Sequence, residues 1–219
     1  MRLISLLFPD KCVFCGEIKD TDICPKCADI LPKTEGMRAV KRGEFFSLCV
    51  SPFYYLGLVR QSIINFKFHR HGSYARTYAK YCALLISERL GGRFEVVTWV
   101  PVSRRRMKER GFDQAELLAK AIARELGVRC EKLLVKKRDT PTQSTLSGEA
   151  RRRANVSGAF ASTASATGKR VLLVDDIITT GATMSECARV LLMAGAEDVV
   201  ACTIAAAGDK SRRDLQMKK

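Results

Sequence analysis

The stretch Val171-Leu-Leu-Val-Asp-Asp-Ile-Ile-Thr-Thr-Gly-Ala-Thr183 constrains this chain more than any other. Its apolar run, Val171 to Val174, leads directly into two adjacent carboxylates. An unbroken apolar run of this kind fits a central parallel strand buried on both faces. In an open α/β sheet the loop after such a strand lies at the carboxyl edge, where these folds bind ligands. Adjacent strand residues point to opposite faces. Asp175 and Asp176 therefore serve one ligand only if the backbone bends at the strand end. Side by side they repel each other, and a sugar diol or a divalent cation is the natural answer to that repulsion.

Thr179, Thr180, Gly181, Ala182 and Thr183 follow. Gly181 permits a positive φ and close backbone approach. From about Met184, the residues Met184, Ala188, Leu191, Leu192 and Gly195 recur at helical spacing. Thr183 with Glu186 reads as a capping box. The start of that helix offers N–H groups and a positive dipole end to an anion, a phosphate above all. A capped helix after a buried strand has the same outline, and the acidic pair favours the ligand-binding reading. The signature resembles the phosphoribosyl-pyrophosphate (PRPP) motif of the type I phosphoribosyltransferases. That resemblance implies that Asp175 and Asp176 are the catalytic acids holding the ribose hydroxyls. It assigns the 5-phosphate to Thr179, Thr180, Gly181, Ala182 and Thr183.

Near the amino terminus, Cys12-Val-Phe-Cys15 and Cys24-Pro-Lys-Cys27 form two CxxC pairs. Four thiolates at this spacing suit a tetrahedral structural zinc, with Gly16 in a knuckle turn. An iron–sulfur cluster uses the same donors, and two disulfides or a redox CxxC are further alternatives. Such a closed site serves folding, not catalysis. Met1 to Phe8 is too short for a secretory apolar region with a cleavage site. The scattered Cys49, Cys82, Cys130, Cys187 and Cys202 fit a reducing cytoplasm and read as small core residues.

The 219 residues suffice for one α/β domain with a small appendage, and no run is long enough to span a bilayer. We expect a zinc-ribbon-like four-cysteine module over 1–35, a phosphoribosyltransferase-like domain over 45–208, and a charged tail over 209–219. Strands are expected in 45–56, over Val96 to Val102, at Leu133 to Val135, briefly over Gly158 to Ala161, and over 171–174 and 198–206. Helices are expected over Ser62 to Phe68, Ser73 to Leu90, Asp113 to Leu126 and 184–194, with a break at His71-Gly72. Their alternation with strands predicts an open, mostly parallel sheet flanked by helices. Residues 138 to 157 read as a long polar loop, a common place for a lid.

The formal net charge is +15. Residues 100 to 155 carry fifteen Lys/Arg against seven Asp/Glu, about half of that surplus. A basic excess so placed favours an anionic ligand, pyrophosphate or nucleic acid, although a solvated surface has the same composition. Val100-Pro-Val-Ser-Arg-Arg-Arg-Met-Lys-Glu-Arg110 brings Ser103, Arg104, Arg105 and Arg106 to the sheet edge that carries Asp175, and guanidinium groups suit multidentate phosphate contacts. The aromatic residues Phe45, Phe46, Phe53, Tyr54, Tyr55, Phe66 and Phe68 read as core more than as a base-stacking platform.

The four-cysteine module, Asn65-Phe-Lys-Phe-His-Arg-His-Gly72, Arg110-Gly-Phe-Asp-Gln-Ala115, Thr140-Pro-Thr-Gln143 and the PRPP signature together resemble the ComF family of late competence proteins. Many members have Asn where Asp113 stands, which adds a charge near the basic loop. The resemblance implies a pyrophosphate loop at Pro101 to Arg105, with Ser103, Arg104, Arg105 and Lys67 on the ligand side, and a flexible loop at about Arg138 to Asn155. It implies Mg²⁺ with PRPP as ligand, and DNA uptake in natural transformation with single-stranded DNA and a competence helicase as partners. Two activities fit: phosphoribosyl transfer to a nitrogen nucleophile, or ligand sensing by a DNA-binding protein.

Overall fold

The computed structural model describes residues 11–18, 21–34, 40–68, 72–139, 154–164 and 166–207. The Met1 to Phe8 segment, the His69-Arg-His71 break, the Thr140 to Arg153 stretch and the tail from Asp209 lie outside them. Nine strands and six helices of at least six residues are described. They are α1 (Pro25–Ile30), β1 (Val40–Lys41), β2 (Cys49–Val50), β3 (Phe53–Tyr54), α2 (Gly57–Phe68), α3 (Gly72–Leu90), β4 (Val96–Trp99), α4 (Arg104–Arg110), α5 (Gln114–Leu126), β5 (Arg129–Cys130), β6 (Leu134–Lys136), β7 (Phe160–Ser162), β8 (Arg170–Ile178), α6 (Ala182–Met193) and β9 (Asp198–Ala206).

The main sheet runs β1-β2-β9-β8-β4-β5, with β3 also on β9. Every pairing is parallel except β1 with β2 at the edge. The 45–56 region is therefore one interrupted strand. β2 and β3 pair with β9 in the same register, and Pro52 between them has no N–H for the ladder. The expected Val96 to Val102 strand stops at Trp99. The Leu133 and Gly158 strands do not join the main sheet but pair with each other as an antiparallel ribbon.

Strand alternation divides the core into two faces. Val97, Trp99, Leu172, Val174, Val200 and Cys202 pack with α2, α3 and α5. Val171, Leu173, Val199 and Ala201 pack with α6, the β6–β7 ribbon and Phe46. In α5 Ala115, Leu118 and Ile122 are buried at helical spacing, and in α3 Ala75, Tyr78, Ala79, Cys82 and Ile86 are. Cys49, Cys82, Cys187 and Cys202 are core residues too. Gly195 is not on the helix face. It has a φ of 96° in the turn after α6, where an added Cβ would meet the Thr167 backbone at 2.9 Å.

The cysteine knuckle is not an isolated appendage. Phe14 inserts between Phe53 and Tyr78, with ring centroids at 5.8 and 5.9 Å. The Ser62 hydroxyl of α2 bonds both the Val13 carbonyl and the Tyr78 hydroxyl at 2.5 Å. Lys80 pairs with Asp22 at 2.9 Å. The knuckle thus buries its apolar tip in the same core as α2 and α3.

Candidate functional site

β4 ends where Trp99 pairs with Val174, while β8 runs on to Ile178 against β9. The chain leaves β4 through α4 and α5 toward β5, and leaves β8 through α6 toward β9. The two connections diverge onto opposite faces of the sheet. The crevice between the carboxyl ends of β4 and β8 is thus a topological switch point, the place where such sheets bind ligands.

Asp175 and Asp176 both lie within β8, and the alternation of faces breaks there: Asp176 is left out of the pairing with β9, and Ile177 packs on the side of Val174 while Ile178 packs on the side of Leu173. Asp176 shares the side of Val174, α2 and α5. Its carboxylate Oδ2 receives Lys67 Nζ at 3.0 Å and Gln114 Nε2 at 3.1 Å. Asp175 shares the side of Leu173 and α6. Its Oδ1 accepts the Asp176 N–H at 2.8 Å. Burial and then the Asp176 charge push the Asp175 carboxyl well above the usual carboxylate range, with Lys67 opposing weakly.

A second tier of residues supports the pair. Gln114 Oε1 accepts from Arg110 Nη1 at 2.9 Å. Burial and then the neighbouring Arg106 lower the Arg110 pKa, while Asp176 opposes the shift. Lys136, on the ribbon, lies 5.2 Å from the Phe160 ring centroid. Its pKa is lowered by burial and Arg106, with Cys187 and Asp175 pulling the other way. Arg106 was expected at this edge, whereas Arg110, Gln114 and Lys136 were given no role by the sequence. Arg110 and Gln114 stand in the Arg110-Gly-Phe-Asp-Gln-Ala115 segment, so the signal was present without a role attached.

The corner that carries them is built by Asp113. Its Oδ2 accepts the Val102 N–H at 3.0 Å, and its Oδ1 accepts the Ala115 and Glu116 N–H groups at 2.9 and 3.2 Å. Burial raises its pKa while those amides lower it. Asp113 is thus an internal tie between the loop after β4 and the start of α5. Asn has one acceptor oxygen and meets only part of this demand.

The residues expected to take pyrophosphate divide. Lys67 is in the crevice. Ser103 caps α4, its Oγ accepting the Arg106 N–H at 3.3 Å. Arg104 and Arg105 are exposed on α4, and Arg105 pairs with Glu109 at 3.0 Å.

The loop from Thr179 leads from β8 into α6, but the expected capping box does not form. α6 starts at Ala182 with Gly181 at its N-cap in the left-handed region, so Thr183 does not begin a capping box. Thr180 Oγ1 accepts the Ala182 N–H at 3.4 Å. Glu186 instead accepts the Gly158 N–H at 2.8 Å and pairs with Arg189 at 2.8 Å. Lys41 Nζ of β1 donates to the Thr179 carbonyl, and the Phe46 ring lies where a Cβ added to Gly181 would meet it at 3.5 Å. The edge hairpin thereby backs the loop.

Cys12, Cys15, Cys24 and Cys27 place their sulfur atoms within 4.8 Å of one another, a group able to hold a metal ion. Gly16 turns the knuckle at a φ of 76°. Burial pushes the Cys12 thiol up, but the Cys15, Cys24 and Phe14 amides outweigh it and bring it to about 7. Burial and the crowding of the other sulfurs push Cys27 up strongly. A cation among four converging thiols relieves that crowding.

Residues 113–219 match the phosphoribosyl transferase domain family. DNA utilization protein YhgH of Escherichia coli O6:H1 is 31% identical over 202 residues, covering 86% of this chain and 86% of that protein. Competence protein ComFC of Bacillus subtilis is 27% identical over 215 residues, covering 89% and 83%. The chain belongs to the ComF family. The solved glutamine PRPP amidotransferase of B. subtilis aligns with this ComF chain at a TM-score of 0.43 and 21% identity, over 64% of this chain and 30% of that one.

The crowded acid makes a prediction about stability. A carboxyl whose folded pKa is raised binds its proton more tightly in the folded chain than in the unfolded one. Stability then falls as pH rises from about 4, the unfolded value. Asp175→Asn, which keeps the Oδ1 acceptor, is therefore expected to raise the melting temperature of the unliganded protein at neutral pH. The gain should shrink as the pH is lowered toward about 4. A variant that melts lower than the parent at neutral pH contradicts the assignment.

Proposed function

We propose that this ComF protein binds PRPP with Mg²⁺ in the crevice between β4 and β8, and acts in the cytoplasm in DNA uptake during natural transformation. Residues 45–208 form the ligand-binding domain, 1–35 the four-cysteine zinc module and 209–219 a charged tail. The carrying observation is the buried Asp176, paired with Lys67 at 3.0 Å at the switch point and followed by a left-handed Gly181 that opens α6. A pentose lying across the end of β4 meets Asp176 and Asp175 at its hydroxyls. Thr179 to Thr183 and the α6 N–H groups take the 5-phosphate.

Lys67, Ser103, Arg104 and Arg105, joined by Arg106 and Arg110, take the pyrophosphate. The Ser103 oxygen is engaged in capping, but its proton remains to be donated. Among the described residues Arg105 is held by an exposed ion pair, which contributes little and releases easily. Asp176 and the phosphate oxygens are the hard donors that Mg²⁺ prefers, and the lysine on Asp176 answers the same demand for a cation. Mg²⁺ supplies charge neutralisation at the pyrophosphate. If transfer follows, a nitrogen nucleophile forms a bond to the anomeric carbon as the bond to pyrophosphate breaks, pyrophosphate leaves, and the arginines stabilise the charge gathering on it.

A second reading adds single-stranded DNA as partner, with the ligand site used for sensing and a competence helicase nearby. It is favoured by α4, which presents Arg104, Arg105 and Lys108 to solvent and buries none of its residues. Phe68, 68% exposed beside Lys67, offers a ring for base stacking, unlike the buried Phe46, Phe53 and Phe66.

Three measurements test these readings. Titration calorimetry of PRPP with Mg²⁺ should show binding that Asp176→Asn weakens by more than about tenfold, and equal affinities would remove the ligand assignment. Freshly purified protein should hold about one zinc per chain, lost together with folding stability on chelation; iron or disulfides in its place would refute zinc. Affinity for single-stranded DNA should fall linearly on a log–log plot against salt, and a flat response would exclude the α4 face as the contact.

A further inference from the structure

We infer that Gln114 is a positioning residue of the pentose site: held by Arg110, its carboxamide fixes the orientation in which the Asp176 carboxylate meets the ligand. This rests on the PRPP reading and adds a residue that the PRPP signature does not contain.

Chemistry settles the orientation of the amide. Arg110 has only N–H donors, so the Gln114 atom 2.9 Å from its Nη1 must be the carbonyl Oε1. Nε2 is then left to donate to Asp176 Oδ2 at 3.1 Å. Gln114 is 5% exposed and Asp176 7%, so this bond is shielded from competing water.

Lys67 and Gln114 fall on the same oxygen, Oδ2. The described donors therefore crowd one side of the carboxylate and turn Oδ1 toward the ligand. The two donors differ in permanence. Lys67 sits on the last turn of α2 at the end of a flexible stem, 23% exposed, and can follow an incoming pyrophosphate. Gln114 stands in the first turn of α5, buried and fixed at both ends of its amide. Lys67 thus neutralises Asp176 before the ligand arrives, and Gln114 keeps it aimed afterwards.

The backbone around Gln114 is shaped for this task. Gly111 ends α4 at a φ of 73°, its N–H on the Met107 carbonyl at 2.8 Å. Phe112 is buried at the corner. Asp113 then ties the corner to Val102 and to the first turn of α5. Arg110 and Gln114 emerge one helical turn apart in sequence, across a bend that lets the two side chains meet.

The test compares Gln114→Met, which removes the amide at similar volume, with Gln114→Glu, whose carboxyl can donate only when protonated. Calorimetry is run with PRPP and Mg²⁺, and separately with pyrophosphate and Mg²⁺. Gln114→Met should weaken PRPP by about tenfold and leave pyrophosphate within about twofold. Gln114→Glu should bind PRPP poorly near pH 7.5 and regain affinity toward about pH 5.5, more than the parent does over the same range. That acid rescue is a signature a purely structural glutamine does not produce, and it reports on the folded variant even if the methionine variant is unstable. Unchanged PRPP affinity in both variants, or equal losses for PRPP and pyrophosphate without acid rescue, would overturn the inference while the PRPP reading stands. Absence of PRPP binding in the parent protein would sink the reading itself, and the inference with it.

Discussion

β8 outlasts its neighbour β4, and the rest of the site depends on that mismatch. As far as Val174 the strand is sealed between two partners and two helical layers. Beyond it, among the described residues, Asp175, Ile177 and Ile178 pair only with β9. Carboxylates could not occupy the sealed part, because an unpaired charge there has neither water nor a donor. At the open end they are tolerated, provided that something answers each one. Asp176 is answered by Lys67 and Gln114. Asp175 is answered by one backbone N–H and by a raised affinity for its proton.

The remoter parts of the molecule converge on those answers. The cysteine knuckle places Phe14 against Tyr78 and its Val13 carbonyl on Ser62, which fixes α2, and the last turn of α2 carries Lys67. The Asp113 tie fixes the start of α5, which carries Gln114. The edge hairpin sets Phe46 and Lys41 behind the loop at Thr179 to Gly181. A metal held by the four cysteines would therefore support the crevice through packing, without contributing a ligand atom to it. Metal sites of this closed kind act through folding energy.

Much of this could be read from residue order. The apolar run before Asp175, the periodicity of Ala115, Leu118 and Ile122, and the paired CxxC motifs each carry a local rule, and each element formed. What escaped was set by tertiary contact. The capping-box reading of Thr183 and Glu186 followed a local pattern, but Gly181 in the left-handed region already starts the helix, and Glu186 is drawn to the Gly158 amide and Arg189. Arg105 stood nearer the middle of the basic run than Arg110, yet Arg105 pairs outward with Glu109 while Arg110 turns inward to Gln114. Spacing along α4 does not decide which guanidinium faces the crevice; the bend at Gly111 does. β8 also runs on to Ile178, past the end expected for it, with Asp176 left out of the pairing with β9 and the faces of Ile177 and Ile178 exchanged.

The most direct test is a crystal structure of the protein soaked with PRPP and Mg²⁺. The account predicts the pentose across the end of β4 with its hydroxyls on the acidic pair, the 5-phosphate on the loop from Thr179 to Thr183, and Lys67 shifted toward the pyrophosphate. Ligand density bound elsewhere, or a crevice in which Asp176 keeps Lys67 and contacts no ligand at saturating PRPP, would contradict it.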